Sequence, residues 1–361
     1  MKDSVRTPVE LDETDLALAH ALQIAPRAPW STVGAVLELS PVTVARRWSR
    51  ITDAGVAWVT ATGSPELWRS LCNAFISVNC EPALRSEVAL SLARDPRTKS
   101  VMELASGPDI HVNTVTRDLP GLSRFVLDQV SRIPGVLRVE TQITTRILTA
   151  GSAWRLDALS RAQQQTLQRH AAETGAAPVP RLSDADRALL LALAPDARRN
   201  IAELARLTGT NETAARRRLH RLEREGAVSF RCEVAQHVTG WPVTSLMWGS
   251  VPSADWRRAC EQLGRLPQVR LLTTTSGSTN VFLSCWLHSL DAALDLEERV
   301  AVACPAFERA DHAMVMRTVK RQGWILDDLG RRLSSAPIDP WYEDDVPPLP
   351  NLGTEDVRPR G

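Results

Sequence analysis

The chain has 361 residues, 43% hydrophobic and 24% charged, with a formal net charge of +1, the make-up of an ordinary globular protein of two or more domains. That balance excludes a general basic field, so contact with nucleic acid or another anion must come from local patches. Six scattered cysteines (Cys72, Cys80, Cys232, Cys260, Cys285, Cys304) without C-x-x-C, an N-terminus without an apolar signal core, and the absence of any run of about 18 apolar residues exclude a disulfide framework, a leader and a membrane partner; a cytoplasmic protein without metal or other cofactor is expected.

The first predicted helix covers 12–23 with Asp12 as its cap, and a short second helix covers 31–37. The stretch "SPVTVARRWSRITDAGV" (40–56) is a third: Ser40 is a good N-cap, Pro41 fits the first helical position, and Gly55 fits a stop. Val44, Trp48 and Ile51 recur on one face, leaving Val42, Thr43, Arg46 and Arg50 on the other. Three such helices with a tight turn before the last are a helix-turn-helix pattern. Strands then read at 71–79, 100–106, 110–116 and 135–148, with helices at 82–93 and 119–132 between them. This β-α-β-β-α-β order is that of a ferredoxin-like α+β unit. Residues 149–181 form a joint, helical over "SAWRLDALSRAQQQTLQRHAAETG" and ending in the linker "AAPVPR".

The pattern then repeats, offset by 171 residues. Leu11/Leu182, Asp15/Asp186, Leu18/Leu189, Leu22/Leu193, Arg27/Arg198, Arg46/Arg217, Arg47/Arg218, Arg50/Arg221 and Gly55/Gly226 are among the identities. Helices are predicted at 184–194, 201–207 and 212–225, the last with Ala215, Leu219 and Leu222 inward and Thr213, Arg217, His220, Arg221 and Arg224 outward. A second β-α-β-β-α-β run extends to about residue 319, and Gly107 and Gly277 occupy the turn between the central strands of each copy. The expected division is helix-turn-helix 8–62, α+β unit 68–148, linker 149–180, helix-turn-helix 181–235, α+β unit 240–325, and a flexible Pro- and acid-rich tail 334–361.

An α-helix fits the major groove of DNA, and arginine bonds guanine or phosphate. The candidate DNA contacts are Ser40, Val42, Thr43, Arg46, Arg47 and Arg50 in copy one, and Thr213, Arg216, Arg217, His220, Arg221 and Arg224 in copy two. A solvated arginine face paired with nearby glutamates, Glu223 and Glu225, is the bland alternative. No G-x-S-x-G, H-E-x-x-H, G-x-G-x-x-G or Walker A phrase is present, and the seven histidines share no motif.

Through "ELDETDLALAHALQIAPRA", "SPVTVARRWSRITDAGV", the α+β unit that follows, and "SGPDI" in its central turn, the chain resembles the Lrp/AsnC (feast/famine) transcriptional regulators, as two tandem copies of a winged helix-turn-helix and ferredoxin-like unit. The resemblance implies double-stranded DNA as partner, an amino acid or similar effector bound at the α+β domains, and a homo-oligomer in which one chain forms an intrachain pseudo-dimer. It places the effector at Gly107 and Asp109, and at Gly277 and Asn280 in copy two. The family's aromatic residue is missing from "SGPDI", and "SGSTNV" keeps only the glycine, with Asn280 near the acid's place. Tandem chains of this kind also resemble sirohaem decarboxylases, so an enzyme on the same architecture is one alternative. An interaction scaffold that has lost DNA binding is another.

Overall fold

A computed structural model describes residues 11–151, 154–169 and 181–343. The expected features at 8–10, 152–153, 170–180 and 344–361 lie outside those residues. The first helical unit is α1 (Glu13–Ile24), α2 (Trp30–Leu37) and α3 (Pro41–Asp53), followed by β1 (Ala57–Gly63) and α4 (Pro65–Arg69). The first α+β unit is β2 (Cys72–Cys80), α5 (Arg85–Arg94), β3 (Thr98–Leu104), β4 (Ile110–Thr116), α6 (Leu119–Arg124, extended by irregular turns to Arg132) and β5 (Val136–Thr149). After α7 (Arg161–Gln168) the order recurs: α8 (Asp184–Leu193), α9 (Ile201–Leu207), α10 (Glu212–Arg224), β6 (Val228–Val234), β7 (Val243–Ser250), α11 (Trp256–Gly264), β8 (Val269–Thr275), β9 (Val281–Leu287), α12 (Ala292–Ala303) and β10 (Glu308–Arg321). Two short strands, β11 (Trp324–Leu326) and β12 (Arg332–Ser335), close the described chain.

The strand after each third helix, the expected wing, finds its partner in the other copy. β1 and β6 form an antiparallel ribbon from Ala57↔Val234 to Gly63↔Val228, centred on Thr60↔Arg231. Those two residues hold the same place in the repeat, so a pseudo-two-fold axis passes between them. The repeated arginines obey the same axis: Arg198 donates to the carbonyls of Pro26 (2.6 Å) and Ala28 (2.9 Å), and Arg27 donates to that of Ala197. Both helical units and the ribbon share one apolar core, containing Leu18, Leu22, Ile51, Leu189, Leu193 and Leu222.

Below the ribbon the fourth strand of each α+β unit is long enough to serve two sheets. β5 pairs with β2 through Val136–Ile143 and then with β8 through Thr144–Thr149. β10 pairs with β7 through Glu308–Met314 and then with β3 through Val315–Arg321. Among the described residues the order β3-β4-β2-β5-β8-β9-β7-β10 therefore closes on itself, which leaves no edge between the copies. Helices cover the outside of each half, and Phe75, Leu104, Leu246, Trp248 and Phe282 fill the inside.

Two expectations change. Among the described residues the joint is helical at Arg161–Gln168, while residues 154–160 run irregularly because their amides are used elsewhere, Leu156 N–H donating to Gln23 Oε1 (2.8 Å) and Ala158 N–H to His20 Nδ1 (3.1 Å). The tail is docked at its start. β12 pairs with β11, Asp339 accepts from Arg187 (3.2 Å), its N–H donates to the Pro96 carbonyl (2.8 Å), and Trp341 lies under the Arg187 guanidinium (5.2 Å).

Candidate nucleic-acid interface and effector turns

Helix α3 starts where the sequence places it: Ser40 Oγ accepts from Thr43 N–H (3.1 Å) and Pro41 opens the first turn. Gly55, just past its end, has φ of 74°, a conformation glycine adopts without strain. In α10 Asn211 is the cap, accepting from Ala214 N–H (2.8 Å), and Gly226 takes the same role at φ 62°. Val44, Trp48 and Ile51, and Ala215, Leu219 and Leu222, are the buried stripes.

The three arginines that the third helices of the two copies share divide into two jobs. Asp15, wholly buried on α1, accepts from Arg47 (2.9 Å) and Arg50; Arg47 also reaches Asp12 (2.8 Å). In copy two Asp186 is buried on α8 and pairs with Arg218 (3.2 Å) and Arg221. Burial pushes the Asp186 carboxyl up, but its bonds from Arg221 and Ser183 outweigh that and hold it below the usual carboxylate range. Arg47, Arg50 and Arg221 thus clamp the third helix onto the first, a tie the helical wheel did not show for Arg50 and Arg221, and Arg50 stays exposed while so engaged. The signal was in the sequence: Asp15/Asp186 repeats along with the arginines.

The candidates that face outward are Ser40, Val42 (78% exposed), Arg46 and, though paired with Asp15, Arg50 at α3, and Thr213, Arg216, Arg217, His220 and Arg224 on α10. Arg46, Arg216, Arg217 and Arg224 make no hydrogen bond or ion pair with described residues, while His220 lies 3.7 Å from Glu223. Thr43 is half-buried, its hydroxyl 2.8 Å from Ser40 Oγ. The two faces are unequal, because Arg216, His220 and Arg224 stand where copy one has Ala45, Ser49 and Asp53.

The turns expected to meet an effector are exposed at the seam between the copies, each beside a long strand of the other. Gly107 (φ 72°) is beside β10, where a Cβ would come 3.1 Å from Asp311 Oδ2; Gly277 (φ 115°) is beside Gln142 of β5. Asp109 Oδ2 accepts from Cys80 N–H (2.9 Å) and its other oxygen is 3.6 Å from Arg85. Asn280 bonds both ways to Val251, accepting from its N–H and donating to its carbonyl (2.9 Å each). Both side chains pin the end of the first strand of their unit, which explains why an acid and an amide can share the place.

A polar chain that no motif marked runs from Ser245 Oγ to His312 Nε2 (2.7 Å) and from His312 Nδ1 to Glu297 (2.8 Å). The spacing suits a nucleophile, base and orienting acid, but Ser245 is wholly buried between strands. No group of three His, Cys, Asp or Glu among the described residues could hold a metal ion, and none of the described helices is long and apolar enough to cross a membrane.

Comparison with known proteins agrees with this anatomy. The model of the AsnC-type helix-turn-helix domain matches residues 11–51 and again 182–223, and that of the Lrp/AsnC ligand binding domain matches 73–153. An uncharacterized HTH-type transcriptional regulator of Pyrococcus horikoshii is 32% identical over 146 residues, 40% of this chain and 92% of the relative. The HTH-type transcriptional regulator AldR of Mycobacterium tuberculosis is 26% identical over 140 residues, 38% of this chain and 78% of its own. Over nearly the whole length, the siroheme decarboxylase NirDL, solved with an iron-uroporphyrin III analogue, superposes with a TM-score of 0.57 at 12% identity, covering 86% of this chain and 93% of that one. That likeness is one of fold.

Proposed function

Since the chain belongs to the Lrp/AsnC family of transcriptional regulators, we propose that it is a sequence-specific DNA-binding regulator in which one polypeptide supplies both reading helices, α3 and α10. The observation that carries this reading is the pair of outward helix faces, joined by the β1–β6 ribbon and holding arginines that have no hydrogen-bond or ion-pair partner among the described residues. Arg46, Arg216, Arg217 and Arg224 are the contacts with phosphate or base edges, Ser40, Val42, Thr43, Thr213 and His220 complete the two faces, and Arg47, Arg50 and Arg221 act through the fold. The half-sites differ, and α10 carries more of the affinity.

An amino acid or similar small effector modulates binding at the α+β units. Copy one is the better candidate, since Asp109 keeps an oxygen beside Arg85 while both polar atoms of Asn280 are used on Val251. Further chains associate through the outer helices, where Leu119, Leu290, Leu294 and Val302 stand exposed.

Footprinting of promoter fragments taken from genomic binding-site mapping, with and without amino acids, tests the reading. Arg217→Ala is expected to weaken operator binding by about 1–3 kcal/mol with the melting temperature unchanged. Arg218→Ala with Arg221→Ala is expected instead to leave the buried Asp186 carboxylate without a cation, only Ser183 still bonding it, and to cost stability on the order of 3 kcal/mol. A folded Arg217→Ala protein that binds as tightly as the parent sinks the assignment of α10.

A further inference from the structure

Ribbon strand β6 lies over one end of the closed sheet, and the two enclose a cavity that none of the roles above uses. Its outer chamber measures about 360 Å³ and its inner chamber about 140 Å³, with Gly151, Arg231, Arg270 and Trp286 bordering both. Among the described residues the inner chamber is bordered by Lys99, Arg231, Arg270 and Arg321 and by no carboxylate. One acid answers these four cations: Glu233, 4% exposed, lies 2.5 Å from Arg231 and 3.4 Å from Arg321. Burial pushes the Glu233 carboxyl up, and Arg231, Arg321 and Arg270 together overcome it and hold the group below its usual range. The acids of the outer chamber are engaged elsewhere, Glu223 with Arg27 and Glu66 with Arg69.

Lys99 and Arg321 also have neutral partners. Lys99 Nζ donates to Asn73 Oδ1 (2.7 Å), and Arg321 donates to the Val234 carbonyl (2.7 Å). Arg270 differs. It is 9% exposed, its guanidinium faces the rings of Trp286 (3.9 Å) and Trp154 (4.8 Å), and it makes no hydrogen bond or ion pair with any described residue. Its Nη2 and that of Arg231 converge at Gly151, where a Cβ would stand 3.7 and 3.6 Å from them. A buried guanidinium is strongly disfavoured unless its fork meets an anion, and here the surplus is more than one positive charge.

We propose that this cavity binds a small anion bearing two or more negative charges on carboxylate or phosphate oxygens, with Arg270 as its principal ligand and Arg231 and Arg321 completing the site. It is a different place from the effector turns: Lys99 and the 105–109 turn lie at opposite ends of β3, about 20 Å apart along the strand. The site stands whether or not the chain reads DNA, because no residue of it lies on an outward helix face.

The test is calorimetric titration of the full chain at matched ionic strength with citrate and, separately, with inorganic pyrophosphate, using chloride as the monovalent control. Saturable binding of one anion per chain is expected for at least one probe, and the preferred probe tells a carboxylate ligand from a phosphate ligand. Arg270→Met, which keeps an apolar stem against the indoles, is expected to weaken it at least tenfold. Gly151→Leu, which fills the space between the two guanidinium ends and leaves every charge in place, is expected to abolish it, whereas Arg217→Ala binds as the parent does. The proposal is overturned if neither probe binds saturably, or if Arg270→Met or Gly151→Leu, shown to be folded, binds as tightly as the parent.

Discussion

At the scale of single residues, the repeat preserves chemistry that burial makes expensive to lose. Asp15 and Asp186 are buried acids met by arginines on the next-but-one helix, and removing either side of such a pair leaves a charge stranded in a poor solvent. His111 is the opposite case. It is wholly buried, stacked on Phe75 (5.2 Å) and Phe282 (5.0 Å) and edge-on to Trp248 (5.3 Å), and neither ring nitrogen has a partner among the described residues. Burial pulls its pKa down to about 3. The unfolded chain takes up a proton there below about pH 6.5 and the folded one does not, so the contribution is fully present above that pH and is lost as pH falls toward 3. His111→Phe is expected to flatten the acid limb of the stability curve and to be more stable than the parent by about 2 kcal/mol at pH 5, measured by denaturant unfolding at pH 7.5 and 5. Equal slopes with pH for both proteins would show that His111 is not the group responsible.

At the scale of elements, α3 and α10 have the same caps, stripe and clamp but different outward charge. Arginines without a partner among the described residues number more on α10 than on α3, and each phosphate contact releases a counterion. Operator affinity is therefore expected to fall steeply between 50 and 200 mM salt despite the near-neutral chain. Replacing Arg216, Arg217 and Arg224 with alanine should reduce the log–log slope by about 2–3, and Arg46→Ala by about 1 at most. Identical slopes for the parent and the α10 triple variant would remove those arginines from the phosphate backbone. The ribbon shows what a resemblance to a winged unit leaves open: the hydrogen bonds of β1 go to β6 of the other copy and not to a neighbour in its own unit.

At the scale of the whole molecule, the copies are interlocked at two levels. The ribbon exchanges one strand pair, and β5 and β10 each leave their own unit to complete the other. A single copy, as a monomer, would expose the edge of β3 or β8 and lose half of the ribbon, which is a poor bargain in both hydrogen bonds and apolar area. Residues 1–175 and 176–361, made as separate chains in one cell, are expected to purify together in equal amounts with one cooperative melting transition. Neither half alone should be a folded monomer. A monomeric half with its own sharp transition would contradict the interlocked sheet.

Local chemistry wrote much of this molecule in advance. Caps, turn glycines and apolar periods depend on residues a few positions apart, so the helices, strands and duplication could be read from the chain itself: α3 is bounded by Ser40 and Gly55, and α10 by Asn211 and Gly226. Outward exposure was legible too for Arg46 and Arg217, both exposed on their helices. Three things were decided only by tertiary structure, because each depends on groups distant in sequence. One is the destination of Arg50 and Arg221, whose partners lie a helix and a half away. A second is the pairing of strands between copies, since a strand's pattern states which face is buried and not which edge it joins. The third is the gathering of Arg231, Arg270 and Arg321, one from each of β6, β8 and β10, around a cavity that exists only once the ribbon has closed over the sheet.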